Sequence, residues 1–183
     1  NNQSQRLQAV WSLTQINDPK ARAAVRRALP DPDDTVRQAA LHSISLHRDV
    51  AAEPLLIEML HGGSAPNRRA AAEALGRLRS KTAVAELLAA TADCTDRVLQ
   101  HSLIYAVIET GNPGPVTAAL SDKRSHVKSA ALIALDQMPA GSVRVSDIEP
   151  LLGSDDPILR KTAWWIADHH PEFSDDLTGY FAE

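Results

Sequence analysis

A basic residue followed by small and apolar residues at helical spacing recurs along this chain, and that repetition constrains the fold more than any other feature. The basic positions are Arg6, Arg37, Arg68, Lys128 and Arg160, with Leu99 in the fourth place, at steps of 31, 31, 31, 29 and 32 residues. So regular a period means stacked copies of one small unit. It moves the question of function from a pocket to a surface.

Three places after each anchor stand Ala9, Ala40, Ala71, Ser102, Ala131 and Ala163, all small. Four places on stand Val10, Leu41, Ala72, Leu103, Leu132 and Trp164, and seven places on Leu13, Ile44, Leu75, Ala106, Leu135 and Ala167. Spacings of three, four and seven share one helical face. A face that is small at one place and large at the next lets neighbouring helices approach closely and interlock. A second helix precedes each later anchor. Twelve places before stand Val25, Leu56, Leu87, Val116 and Ile148, and eight places before stand Leu29, Leu60, Thr91, Leu120 and Leu152. Four residues is one helical turn, so each unit reads as two antiparallel helices.

The turns carry matching punctuation. Asp18-Pro19, Asp31-Pro32 and Asp156-Pro157 each place an N-cap residue before a proline at the first helical position, and Ser64-Ala65-Pro66 is a looser version. Gly62-Gly63, Gly111-Asn112 and Pro139-Ala140-Gly141 stop the helices before them. No segment alternates with period two, so no sheet is expected. The predicted fold is an all-α α-solenoid (superhelix) of six stacked helix pairs. It forms one array over 1–183, with repeats near 1–29, 31–60, 62–92, 94–121, 123–152 and 154–183. One pair cannot bury its own apolar face, and stacking supplies a continuous core.

Composition narrows the function classes. Hydrophobic residues at 44 % with aromatics at 4 % suit an alanine- and leucine-rich stack. The single Cys94 excludes an internal disulfide framework and any CxxC site, and leaves the compartment open. No apolar run is long enough to cross a membrane, and no signal segment opens the chain. The start at Asn1-Asn2, without methionine, is that expected of a piece of a longer protein. The net charge of −4 is uneven: residues 1–48 carry seven basic and four acidic side chains (+3), and residues 139–183 three basic and nine acidic (−6).

Helical pairs at this period, with Asp33 to Leu41 (DDTVRQAAL), Arg68 to Leu78 (RRAAAEALGRL) and His126 to Leu135 (HVKSAALIAL), resemble HEAT repeats, most of all the phycobilisome-lyase-like subclass. The stretches Gln8 to Leu13, Val36 to Leu46, Asp96 to Glu109 and Ala130 to Met138 further resemble the HEAT segment of large bacterial proteins. There such a segment lies between a propeller-type dehydrogenase-like domain and a cytochrome-c-like haem domain. That narrower resemblance implies a spacer or docking module of an exported redox protein; without it the cytoplasm is the default compartment. CxxCH is not in the chain, so the resemblance assigns no haem and no catalytic residue here.

Four sets of residues stand out. His101, Tyr105 and Glu109 fall on one stripe of the fourth long helix. They read either as a ligand-binding or proton-handling trio or as a polar network holding neighbouring helices in register. Trp11, Ile104, Ile133 and Trp165 all sit five places after their anchors, where repeats two and three hold His42 and Glu73. They read as an apolar contact stripe for another domain or chain. The seven histidines lack metal-ligand spacing: there is no HExxH, and His169-His170 point to different faces. At the C-terminus, Phe173, Leu177, Tyr180 and Phe181 are expected to cap the last repeat, behind a helix that Ser174 starts.

The basic anchors are expected to pair with turn carboxylates such as Asp33 or Asp155. The acidic C-terminal third argues against a phosphate-binding groove. The expected function is a non-catalytic interaction or spacer module whose partner is a protein or a flanking domain of the same chain, with no cofactor, no nucleic acid and no membrane. The alternatives are small-molecule (bilin-type) binding or lyase-related activity centred on helix 94–110, and nucleic-acid binding through Arg22, Arg26 and Arg27.

Overall fold

The structure, a computed structural model, describes residues 2–178. Long helices alternate with short ones. The long helices are α1 (Gln3–Thr14), α3 (Asp34–His47), α5 (Ala65–Leu78), α7 (Arg97–Thr110), α9 (Ser125–Gln137) and α11 (Pro157–His169). Between and after them lie α2 (Pro19–Arg26), α4 (Glu53–Met59), α6 (Val84–Ala89), α8 (Pro113–Ala118), α10 (Val145–Leu152) and α12 (Ser174–Leu177). There is no strand among the described residues. Each long helix packs on the next long helix, forming one layer, and each of the short helices α2, α4, α6, α8 and α10 packs against the long helix that follows it.

The termini are set locally. Asp18, Asp96 and Asp156 accept backbone N–H groups at the starts of α2, α7 and α11, satisfying donors a helix leaves orphaned. The Asp31-Pro32 expectation is corrected: Asp33 caps α3, donated to by Thr35 and Val36 N–H. Asp31 is drawn off because Arg6, one repeat earlier, forks onto both its carboxylate oxygens at 2.7 and 3.0 Å. Gly111 ends α7 at φ +64°, while α3 and α5 end on Arg48 and Arg79 at φ +47° and +52°, a region where a Cβ costs energy. Ser174 lies inside α12 and makes no cap; Phe173 precedes the helix, also without a side-chain cap.

The small-then-large face does what its spacing predicts. Ala40, Ala71, Ala131 and Ala163 are sealed between long helices, as are Leu41, Leu103 and Leu132. In the short helices Val25, Leu56, Leu87, Val116 and Ile148 are buried. The main core runs from Val10 to Met138, and a second cluster of Leu132, Ile148, Leu152, Ala163, Ile166 and Leu177 fills the C-terminal end.

Two junctions in the long-helix layer differ. Between α5 and α7, the most extensive contact in the molecule, Gly76 faces Ala106. A Cβ on Gly76 would sit 3.0 Å from the Ala106 Cα and 2.5 Å from Glu109 Oε2. No hydrogen bond among the described residues joins these two helices. Between α9 and α11 the buried Ser129 and Thr162 hydroxyls meet at 2.7 Å. Ser125 donates to Asp156, and His170, just past α11, reaches Asp136 of α9 at 2.6 Å.

Candidate interaction surface

The arginine anchors are structural: Arg6 pairs with the turn carboxylate Asp31, and the others bind chiefly to backbone carbonyls. Arg37 donates to the Asp31 carbonyl and pairs with Asp34. Arg160 reaches back six residues to the Ser154 carbonyl at 2.5 Å. Arg68 donates to the Leu60 carbonyl at 2.7 Å and to Ala90 at 3.3 Å. Asp33 acts on Arg6 through its charge, whereas Arg37, Arg68 and Arg160 take turn carbonyls within reach of their guanidinium forks. The basic N-terminal triad is also partly spent, since Arg26 pairs with Asp49 and Arg22 donates to Asn17.

The outer side of the long-helix layer carries the residues singled out at the fifth place. Trp11 and Trp165 are about two-fifths exposed, and His42 and Glu73 are exposed. Ile104 is a correction, for it is buried in the core, and Ile133 is half-buried. The cause is position in the layer. Helix α7 is flanked by α5 and α9, so a branched side chain is taken into the seam, whereas α1 and α11 each have one long neighbour among the described residues. The four residues thus form two open tryptophans at the ends rather than one stripe.

Those tryptophans belong to a different pattern, invisible at single positions. Trp11 meets His42 with ring centroids 5.6 Å apart, and Trp165 meets His169 at 4.6 Å. In the middle, His101 stacks on Tyr105 at 6.4 Å with the rings 5° from parallel. Three aromatic–imidazole pairs therefore stand on one layer. Each offers an apolar face with a polar edge.

The His101, Tyr105 and Glu109 trio is not brought together. His101 and Tyr105 are exposed, while the Glu109 carboxylate lies over Gly76 of the neighbouring helix, with no hydrogen bond to either ring among the described residues. Grooves of about 200, 290 and 380 Å³ open among the described residues, and His101, Tyr105 and Glu109 line none of them. The 200 Å³ groove lies on the outer side, between α3 and α5, against His42, Arg69, Glu73 and Arg77.

At the C-terminal end His170 donates to Glu172 and to the almost fully buried Asp136, each at 2.6 Å, and stacks on Phe173. Those two carboxylates, Glu172 foremost, raise the imidazole above its ordinary value of 6.5. Phe173 and Leu177 pack into the end cluster as expected; Tyr180 and Phe181 lie outside the described residues. No group of three or more ligands that could hold a metal occurs among the described residues, and no described helix is long and apolar enough to cross a membrane.

Comparison with known proteins places this geometry. The family model described as HEAT repeats matches residues 1–69, and that described as PBS lyase HEAT-like repeat matches residues 68–93. Among solved structures, an archaeal HEAT-like repeats protein from Thermococcus onnurineus NA1 aligns with a TM-score of 0.56 at 15 % identity, covering 90 % of this chain and 75 % of that one. A designed armadillo repeat protein aligns with a TM-score of 0.45 at 17 % identity, over 91 % and 94 % of the two chains. At such identities likeness speaks to fold alone. No curated protein matches the sequence.

Proposed function

As a HEAT-repeat domain with repeats of the PBS-lyase-like kind, the chain is a stack that displays a surface, and we propose that it is a non-catalytic scaffold binding a protein partner through the outer side of its long helices. The observation that carries this is the row of aromatic–imidazole pairs Trp11–His42, His101–Tyr105 and Trp165–His169. Tryptophan and tyrosine dominate the energetics of protein interfaces because they bury large rigid faces while keeping a hydrogen-bonding edge. The partner is a separate protein or a flanking domain of a longer chain. Joined to a propeller-type dehydrogenase-like domain and a cytochrome-c-like domain, the module is their spacer, which sequencing the gene on both sides of this segment tests.

The test uses the intact chain as bait in an extract of its source cells, followed by quantitative binding of the captured protein. Trp11→Ala and Trp165→Ala are each expected to weaken that binding by about 30-fold, the loss typical of an interface anchor, while thermal unfolding moves less than for a core substitution because about two-fifths of each side chain is exposed. Binding at parental strength by both variants contradicts the reading. An enzyme or bilin-type site around His101 and Tyr105 has less support, since that pair faces outward and lines none of these grooves.

A further inference from the structure

The segment that closes the C-terminal end of the array hangs from one residue. Helix α11 stops at His169, and His170 leaves helical geometry at φ −122° and ψ 75°, as the residue before a proline is biased to do. The 3-10 turn Pro171–Phe173 and α12 follow. Leu177 and the half-buried Phe173 pack in one cluster with Ile148, Leu152 and Ile166. Among the described residues, every hydrogen bond joining 171–178 to the rest of the chain ends on His170. Phe173 N–H donates to its carbonyl at 2.9 Å, and its ring meets Glu172 at 2.6 Å. The same ring reaches Asp136 of α9 and stacks on Phe173, with centroids 4.7 Å apart and planes 13° from parallel. Hinge and tether therefore coincide.

The ring serves both carboxylates only as the imidazolium, which carries an N–H on each nitrogen; a neutral ring carries one. Its other nitrogen then turns a lone pair toward a carboxylate oxygen, and the bridge opens. Glu172 has water to go to, since its side chain is 62 % exposed against 2 % for Asp136. The remaining charged groups nearby do not hold the ring. Asp168 and His169, before it in α11, make no hydrogen bond to it among the described residues, and His169 is turned onto Trp165. Asp175 and Asp176 of α12 are exposed. Glu172 first and Asp136 second hold the imidazole above its ordinary 6.5. The bridge is therefore complete below about 6.5 and is lost as pH rises through the raised value.

We propose that His170 is a proton-operated latch on a C-terminal strap: protonated, it fastens residues 171–178 over the end of the array, and neutral, it lets them swing about Pro171 and bare the apolar floor of Ile148, Leu152 and Ile166. The strap is the element that moves, because α11 keeps two further ties to α9. The Ser129–Thr162 hydroxyl pair does not titrate, and Asp156, bonded to Ser125, is held ionised below the usual carboxylate range. The latch stands apart from the outer-face aromatic pairs and does not depend on the scaffold reading.

The experiment follows the His170 ring and the Ile148, Leu152 and Leu177 methyl groups of the isotope-labelled chain by NMR from about pH 5 to about pH 9. An apolar fluorescent dye reports bared apolar surface in parallel. The expected result is that the methyl signals move with the midpoint of the His170 ring, that this midpoint lies above 6.5, and that dye binding rises across it. Glu172→Gln moves the midpoint down and releases the strap at lower pH, and His170→Gln removes the pH dependence of methyl signals and dye alike. Methyl signals that stay in place while His170 titrates, a midpoint unmoved by Glu172→Gln, or a dye response retained in His170→Gln overturns the proposal.

Discussion

The α5–α7 and α9–α11 junctions are built from the same repeat and locked by opposite means. The central junction is closed by shape: Gly76 lets α7 approach until the Ala106 backbone and the Glu109 carboxylate occupy the space where a Cβ would be, and no hydrogen bond joins the two helices among the described residues. The C-terminal junction carries a buried hydroxyl pair, a serine–aspartate bond and a histidine between two carboxylates. Shape complementarity fixes the middle, where each long helix has neighbours on both sides. Directional bonds fix the end, where the main core gives way to a separate small cluster and apolar burial alone leaves register loosely set.

The contrast can be broken most forcefully at its centre. Gly76→Leu is expected to cost about 3 kcal/mol in urea unfolding, because the added atoms meet α7 backbone as well as the movable Glu109 side chain. Loss of less than about 1 kcal/mol would show that the helices part easily.

At the polar junction, Thr162→Val strands the buried Ser129 hydroxyl and is expected to cost about 1–2 kcal/mol, most of it recovered by adding Ser129→Ala. Additive losses in the double variant would mean that the pair does not act as a unit. Arg79→Gly tests the exit from α5. Relieving a side chain at φ +52° is expected to stabilise by about 0.5–1 kcal/mol, and a loss would assign the Arg79 side chain a packing role.

The smallest expected effect is that of pH. His170 has a folded-state value above 6.5, so its contribution is complete below about 6.5 and is lost as pH rises through the raised value. His170→Gln should flatten the fall in melting temperature over that window; an unchanged slope would remove the latch.

What the sequence alone conveys divides along the same line. The helix faces, the stop at Gly111 and the caps at Asp18 and Asp156 depend on neighbours within a turn or two, and they are readable from spacing. Asp31 is not, because two aspartates two residues apart compete for one cap and Arg6, 25 residues away, decides between them. Ile104 shares its repeat position with exposed residues, and only the flanking of α7 on both sides takes it inward. The pairs Ser129–Thr162 and His170–Asp136 lie 33 and 34 residues apart; each member alone is an ordinary polar residue. The aromatic–imidazole pairs could be anticipated only in part, since His101 and Tyr105 sit one turn apart whereas Trp11 and His42 meet across repeats. Gly76 carries a faint signal, a glycine inside an alanine-rich helix where its intrinsic propensity is poor, which points to close approach.

The most direct test of a shape-closed centre and a bonded end is native-state hydrogen exchange of the intact chain at pH values about one unit below and about two units above the ordinary histidine value, corrected for intrinsic rates. The account predicts that α5 and α7 hold the highest and most pH-independent protection, while α11 and α12 lose protection at the higher pH as His170 releases Asp136 and Glu172. Uniform protection along the array, or an α5–α7 junction that opens before α11, would contradict it.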